Sequence, residues 1–285
     1  MSLTGHAKIA GIAGWPVGHS LSPRLHGYWI AEHRLDATYI PLPVRPEDFA
    51  TAIALLPKLG IRGLNVTIPH KEAAFALATQ HDEAAKATGA VNTLVFEDDR
   101  IIGKNTDVAG VIGMLRDAGI TTLAGKHALI FGAGGAARAV VYALTQLHAA
   151  RISIVNRTPQ KADQLAQHFS TAQSKVTAVS NSQGLGVVDL IINTTSVGMA
   201  GKDSAAATLP AFHLDIRSGE TFAVDIVYRP LETPFLSKFR LAGVKTIDGL
   251  GMLLHQAVPA FYAWFGIEPK VTPALRAHML QALKD

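Results

Sequence analysis

"KHALIFGAGGAAR", Lys126 to Arg138, joins an apolar run to a glycine-rich turn and a run of small residues. Gly132, Gly134 and Ala137 fit G-x-G-x-x-G/A, a pattern that means little alone. Here it follows a strand-like run and opens a helix. A second apolar strand, RISIVN, ends about 25 residues later, which is the setting of a dinucleotide-binding βαβ unit. The first glycine permits the tight turn, the second lets the backbone approach a pyrophosphate, and the small Ala137 lets the helix pack closely. Amides exposed at the helix N-terminus then hold the phosphates.

The end of the second strand chooses among dinucleotides. A chain that binds NAD carries Asp or Glu there for the ribose 2′-hydroxyl, but Val155 to Lys161 reads VNRTPQK. A carboxylate would repel a 2′-phosphate, whereas Arg157 can stack on adenine and pair with that phosphate, supported by Asn156, Thr158 and Lys161. The expected cofactor is NADP.

Outward from this turn the chain alternates strands and helices. The N-terminal part reads KIAGIAG, a helix near PRLHGYWIAEH, ATYIPLPV, a helix over PEDFATAIALLPKLG, IRGLNVTI and a helix from His70. That alternation implies a parallel-rich sheet with helices on its faces. After the helical stretch DVAGVIGMLRDAG a second α/β unit starts afresh, running through QKADQLAQHF and VVDLIIN, so the boundary is expected near Asp107. Two apolar helical stretches, GLGMLLHQAVPAFYAWFG and TPALRAHMLQALKD, end the chain and must cover some sheet face.

Composition narrows the function. The chain has 285 residues, 48% hydrophobic and 17% charged, enough for one large domain or two of ordinary size, and too apolar for disorder. There is no cysteine, which removes disulfides, thiolate catalysis and cysteine-ligated zinc and fits a reducing compartment. Twelve histidines show no H-x-x-x-H or H-E-x-x-H spacing, so no metal site is expected. The net charge of +4 is scattered without basic blocks or aromatic-basic alternation, which argues against nucleic acid and leaves a small anionic substrate. The N-terminal stretch lacks a targeting pattern and no run is long enough to span a membrane, so a cytoplasmic protein is expected.

Polar clusters mark the first half. In GLNVTIPHKEA, Asn65 and Thr67 share a strand face, and Lys71 opens a helix where a cation opposes the dipole. Asn92 follows the small-residue turn in GAVNTLV, and Asp107 begins a helix in IIGKNTDVAG. Each has an ordinary explanation as turn residue, helix cap or solvated charge. Together they lie at expected strand C-terminal ends, where open α/β sheets bind ligands. A lysine beside a carboxylate is a proton-transfer pair suited to ketone reduction or alcohol oxidation. Gly14 to His26, GWPVGHSLSPRLH, places Ser20 and Ser22 on a proline-stiffened loop. Two neutral hydroxyls there can grip one carboxylate; His19 and His26 are expected to be structural.

These stretches, with GAGGAAR, NRTPQKA, NTTSVGM, VYRPLETPFL and DGLGMLLHQA, resemble the shikimate dehydrogenase family in order and across nearly the whole chain. The resemblance implies an α/β fold of two domains, an N-terminal substrate-binding domain and a Rossmann-type NADP-binding domain with a cleft between them. Residues 1–107 with 248–285 would form the first and 108–247 the second. It implies NADP-dependent, reversible reduction of 3-dehydroshikimate to shikimate, on the way to chorismate and aromatic amino acids, by a monomer or homodimer. By position, Ser20 and Ser22 would bind the substrate carboxylate with Tyr228 nearby. Thr67, Asn92, Asp107 and Gln256 would hold its hydroxyls and carbonyl, and Lys71 would be the acid/base beside Asp107. Gly132, Ala133, Gly134, Gly135, Ala136, Asn156, Arg157, Thr158, Lys161, Thr195, Ile226 and Gly249 would meet the cofactor.

Two positions depart from the family pattern: Lys104 stands where an acidic residue is usual, and Val108 where glycine is frequent. They bear on shikimate against quinate as substrate, and broader substrate and cofactor use stays open. Two other classes compete. Ser20, Asp248 and His255 follow the Ser, Asp, His order of a hydrolase, although Ser22 replaces the elbow's last glycine. A non-catalytic NADPH-binding regulator on the same fold would need neither Lys71 nor Asp107.

Overall fold

The computed structural model describes residues 3–180, 185–199 and 214–284. The chain divides into two compact units, one of Met1–Ala109 with Leu254–Asp285 and the other of Gly110–Leu253.

The first unit is built on β1 (Lys8–Gly14), α1 (Ser22–Glu32), β2 (Ala37–Pro43), α2 (Phe49–Leu55), β3 (Ile61–Val66), α3 (Lys71–Leu77), β4 (Gln80–His81), α4 (Glu83–Thr88), β5 (Thr93–Glu97) and β6 (Arg100–Lys104). Its sheet runs β2-β1-β3-β5-β6-β4. The β2, β1 and β3 strands are parallel, as the alternation requires. The sheet is nevertheless mixed, because β5 runs antiparallel to both β3 and β6. A hairpin closed through Asp98 and Asp99 joins β5 to β6, with Asp98 at φ 49°, a conformation that Asp tolerates better than most residues. The helix expected over PEDFATAIALLPKLG is likewise interrupted. Phe49–Leu55 is α-helical, and a 3₁₀ turn, Leu56–Leu59, takes over where Pro57 lacks an amide donor.

The second unit follows α5 (Asp107–Asp117), the helix in which the chain passes from one unit to the other. It comprises β7 (His127–Phe131), α6 (Gly135–Gln146), β8 (Arg151–Val155), α7 (Pro159–Phe169), β9 (Lys175–Ala178), β10 (Leu190–Asn193), β11 (Phe222–Asp225), α8 (Pro234–Leu241) and β12 (Lys245–Ile247). All six described strands are parallel, in the order β12-β11-β10-β7-β8-β9. Helix cover on both faces explains why β7, HALIF, is buried at all five positions. On α7 the buried Ala162, Leu165, Ala166 and Phe169 recur at one-face helical spacing. Strand order reverses between β7 and β10, so the loops after these two strands flank the switch point, where such sheets bind ligands.

Helices α9 (Leu250–Phe265) and α10 (Pro273–Ala282) end the chain. From Leu254 onward they belong to the first unit and complete its core. Trp264 donates from Nε1 to Leu94 O at 3.0 Å. A side chain at Gly63 would collide with that indole, so the glycine is what lets the helix approach the sheet. His26 lies in the same aromatic layer, stacked on Tyr39 at 4.2 Å and surrounded by Trp29, Phe261 and Trp264.

Candidate active site

Lys71 Nζ stands 2.5 Å from Asp107 Oδ2. Each is the first residue of its helix, α3 and α5. The carboxylate suits its helix N-terminus and the ammonium does not, so the pair offsets an arrangement that the dipole alone would disfavour. The backbone fixes both partners. His70, just before Lys71, stacks on Phe49 with ring centroids 4.3 Å apart and holds Val44 O through Nε2 at 2.8 Å. Val91 N donates to Lys71 O at 3.0 Å, which brings the turn before β5 alongside. Asp107 N donates to Asn105 Oδ1 at 3.2 Å, so Asn105 supplies the cap and the Asp107 carboxylate is left for Lys71.

Asn92 completes the pair: its Nδ2 donates to Asp107 Oδ1 at 2.8 Å. Its Oδ1 accepts from Thr106 N at 2.8 Å and from the hydroxyls of Thr106 and Thr93, each at 3.1 Å. Behind it, Asn65 Nδ2 donates to Thr93 Oγ1 at 3.0 Å, and Asn65 Oδ1 accepts from the Tyr39 phenol at 2.7 Å. Burial raises the Tyr39 pKa well above its usual value, although the nearby Ser22 side chain draws it back. An unbroken polar chain therefore runs from Tyr39 through Asn65, Thr93, Asn92 and Asp107 to Lys71.

The other expected substrate residues divide between the units. Ser22 is buried and Ser20 half-buried, with Ser22 N donating to Ser20 Oγ at 3.3 Å, so the two hydroxyl-bearing residues are held together. Thr67 follows β3 in the turn that leads to Lys71 and packs against Gly14, where any larger side chain would meet it. Gln256, on α9, is buried with Oε1 3.5 Å from Thr106 Oγ1. Tyr228 belongs to the second unit, where burial raises its hydroxyl pKa, partly opposed by Arg229. Of the hydrolase set, Asp248 accepts from Leu250 N at 3.1 Å and so caps α9, a structural use of that carboxylate.

In the second unit, Gly132 follows β7 at φ +112°, and a Cβ there would strike Thr194. Gly134 caps α6, and at Gly134 and Gly135 an added Cβ would meet nothing within 4 Å. This open cradle above the first-turn amides fits a dinucleotide pyrophosphate. Thr195 Cγ2 lies 3.1 Å from where a Gly132 Cβ would stand, which joins the loops on either side of the switch point. Asn156 donates to Thr158 O at 2.8 Å, shaping the turn after β8, and Arg157, Thr158 and Lys161 project into solvent with no acidic side chain in that turn. A Cβ at Gly249 would strike the Ile226 backbone and come within 2.8 Å of Val227 O, so no larger residue fits there. Ala133 lies in the turn after β7 and Ala136 in the first turn of α6. Among the described residues no group of His, Asp or Glu is placed to hold a metal, and no helix is long and apolar enough to cross a membrane.

Comparison with known proteins gives this geometry a family. Profiles described as shikimate dehydrogenase substrate binding domain, shikimate/quinate 5-dehydrogenase and shikimate 5′-dehydrogenase C-terminal domain match residues 12–94, 115–231 and 249–284. The chain belongs to the shikimate dehydrogenase family. An NADP(+) shikimate dehydrogenase of Acidiphilium cryptum is 48% identical over 276 residues, covering 96% of each chain. One from Rhodospirillum rubrum is 46% identical over 286 residues, 98% of this chain and 99% of the other. The crystal structure of the Thermus thermophilus shikimate 5-dehydrogenase with NADP(H) and shikimate superposes with a TM-score of 0.81 at 34% identity, over 97% and 98% of the two chains. The expected family and its two-domain α/β fold are therefore correct.

Tyr39, Thr93, Asn105 and Thr106 did not stand out in the sequence. Asn105 and Thr106 sit within the NTD motif, and Thr93 directly follows Asn92 in GAVNTLV, so the signal was their adjacency to residues already singled out.

Proposed function

We propose that this member of the shikimate dehydrogenase family interconverts 3-dehydroshikimate and shikimate with NADP, the first unit taking the substrate and the second the cofactor. The observation that carries this is the 2.5 Å contact of Lys71 Nζ with Asp107 Oδ2, completed by Asn92 at 2.8 Å. Bound NADPH supplies the hydride to the carbonyl carbon. Lys71, as ammonium, gives its proton to the ketone oxygen; in the reverse direction neutral Lys71 takes the alcohol proton. Asp107 keeps Lys71 on one line of approach, and its position at the head of α5 keeps an anion where the dipole favours it. Ser20 and Ser22 hold the substrate carboxylate as hydroxyl donors, with Tyr228 contributing from the second unit. Thr67, Asn92, Asp107 and Gln256 meet the hydroxyls and carbonyl.

For the cofactor, the Gly132 to Ala136 turn and the first amides of α6 take the pyrophosphate, with Thr195, Ile226 and Gly249 around them. Asn156, Arg157, Thr158 and Lys161 take the 2′-phosphate, supported by the absence of a carboxylate in that turn. A cytoplasmic monomer or homodimer acting on a free small anion goes with this reading, supported by a cysteine-free chain suited to a reducing compartment.

The test follows nicotinamide absorbance with shikimate and NADP, then with quinate, then with NAD. Turnover greatest with shikimate and NADP is expected. Faster turnover of quinate with NAD would replace the substrate and cofactor assignment, and no turnover with any pair would remove the enzyme.

A further inference from the structure

Three donors converge on Asn92 Oδ1: Thr106 N at 2.8 Å and the Thr106 and Thr93 hydroxyls at 3.1 Å. A backbone N–H only donates, so the amide atom facing Thr106 N is the oxygen, and the two ends of this amide are not interchangeable. Nδ2 is thereby directed onto Asp107 Oδ1. Flipped, the amide would set its NH2 group against the Thr106 amide and its oxygen against a carboxylate.

The Thr93 proton has two acceptors. Thr93 Oγ1 already accepts from Asn65 Nδ2, so its single proton goes to Asn92 Oδ1 or to Thr106 Oγ1 at 3.2 Å. When it goes to Asn92, the Thr106 proton is free to join it there at 3.1 Å or to reach Gln256 Oε1 at 3.5 Å. When it goes to Thr106, the Thr106 proton serves Asn92. Asn92 Oδ1 keeps its backbone donor and at least one hydroxyl either way. Thr93, Thr106, Asn92 and Gln256 are all buried, so these bonds face little competition from water.

We propose that Thr106 is a positioning residue for the proton-transfer pair: with Thr93 it locks Asn92 so that Nδ2 faces Asp107, and it ties that lock to Gln256 on α9. This rests on the dehydrogenase function proposed above.

The test is a double-mutant cycle between Thr106→Val and Asn92→Ala, read in shikimate oxidation and in denaturant unfolding, with Thr106→Ser as the conservative variant. Thr106→Val is expected to lower kcat about ten- to hundredfold, with KM rising much less and NADPH affinity within about threefold. Thr106→Ser is expected to stay within about threefold of the parent. In the Asn92→Ala background Thr106→Val is expected to lower kcat by no more than about twofold further, because its effect passes through Asn92. Additive losses in the cycle, or equal losses in the Ser and Val variants, would overturn the proposal. If Thr106→Val does not fold, Thr93→Val reads the same lock from its other hydroxyl. If the parent turns over no substrate pair, the dehydrogenase function fails, while coupling or additivity in unfolding still decides the lock.

Discussion

Asn92 donates through Nδ2 to Asp107 Oδ1 at 2.8 Å, and a backbone donor decides that this end of the amide does so. Asn92→Ala removes the acceptor of the Thr106 amide and of two hydroxyls in a buried setting. Leaving buried donors unmet costs about 1 to 3 kcal/mol. The variant is expected to lose stability by that order in urea unfolding and to lose turnover as well. An unchanged unfolding midpoint would mean that the three donors find other acceptors and that the lock does not hold Asn92.

Lys71 is half-buried and paired to Asp107. Lys71→Ala should lower turnover by roughly two to four orders of magnitude, the usual range for a lost general acid or base. Substrate affinity should change little, because the serines and amides proposed to hold the substrate remain. Steady-state kinetics in both directions, with a binding titration beside them, separates the two effects. Near-normal turnover would take the proton transfer away from Lys71.

Some of this was legible in the sequence for simple physical reasons, and some was not. A buried parallel strand is an unbroken apolar run, so HALIF followed by GAGGAAR announces both the strand and the turn after it. The hairpin of β5 and β6 inside the first sheet was not foreseen, although its two aspartates, Asp98 and Asp99, are turn formers that could have marked it. Asn65 was visible as a polar residue in an apolar strand. Its partners Tyr39 and Thr93 were not, because each has the composition of an ordinary strand residue and only register brings them together. Thr106 gains its meaning from three neighbours, all distant in sequence: Asn92, Thr93 and Gln256.

The two turn glycines should fail in different ways. Gly132 sits at φ +112° with Thr194 against the position of a Cβ, so Gly132→Ala combines backbone strain with a collision. It is expected to lower the unfolding midpoint. Gly134 has φ −90° and open space around the missing side chain, so Gly134→Ala should fold with nearly unchanged stability. Its methyl would instead occupy the cradle where phosphates approach the backbone, and NADP affinity should fall about tenfold or more, on the order of 1.4 kcal/mol. Thermal melts and cofactor titration on both variants check the contrast; equal stability losses would contradict it.

Arg157 projects from the turn after β8 beside Thr158, with Lys161 one helical turn on. Arg157→Ala should weaken NADP binding about ten- to hundredfold, the scale of a lost charge-assisted pair with phosphate, and leave NAD binding nearly unchanged. Titrations of both cofactors read this directly. Equal losses for NAD and NADP would move Arg157 off the 2′-phosphate.

His26 offers a stability test away from the chemistry. It is fully buried, stacked on Tyr39, and neither ring nitrogen meets hydrogen-bond geometry, although the nearby Asn65 side chain slightly favours its protonation. Burial dominates and pushes its pKa from 6.5 down to about 3. Below pH 6.5 the unfolded chain therefore takes up a proton that the folded chain refuses until about pH 3. The stability tied to this neutral ring is present in full above pH 6.5 and is lost as pH falls through that window, by about 1.4 kcal/mol per pH unit at most. His26→Phe keeps the aromatic stacking and removes both the proton uptake and the two unmet nitrogens. Urea unfolding between pH 7 and 4 should show a shallower acid decline than in the parent by about one proton's worth, so that the variant's advantage grows as pH falls. Parallel declines in the two proteins would mean that His26 is protonated within the fold, and that a partner reaches its ring.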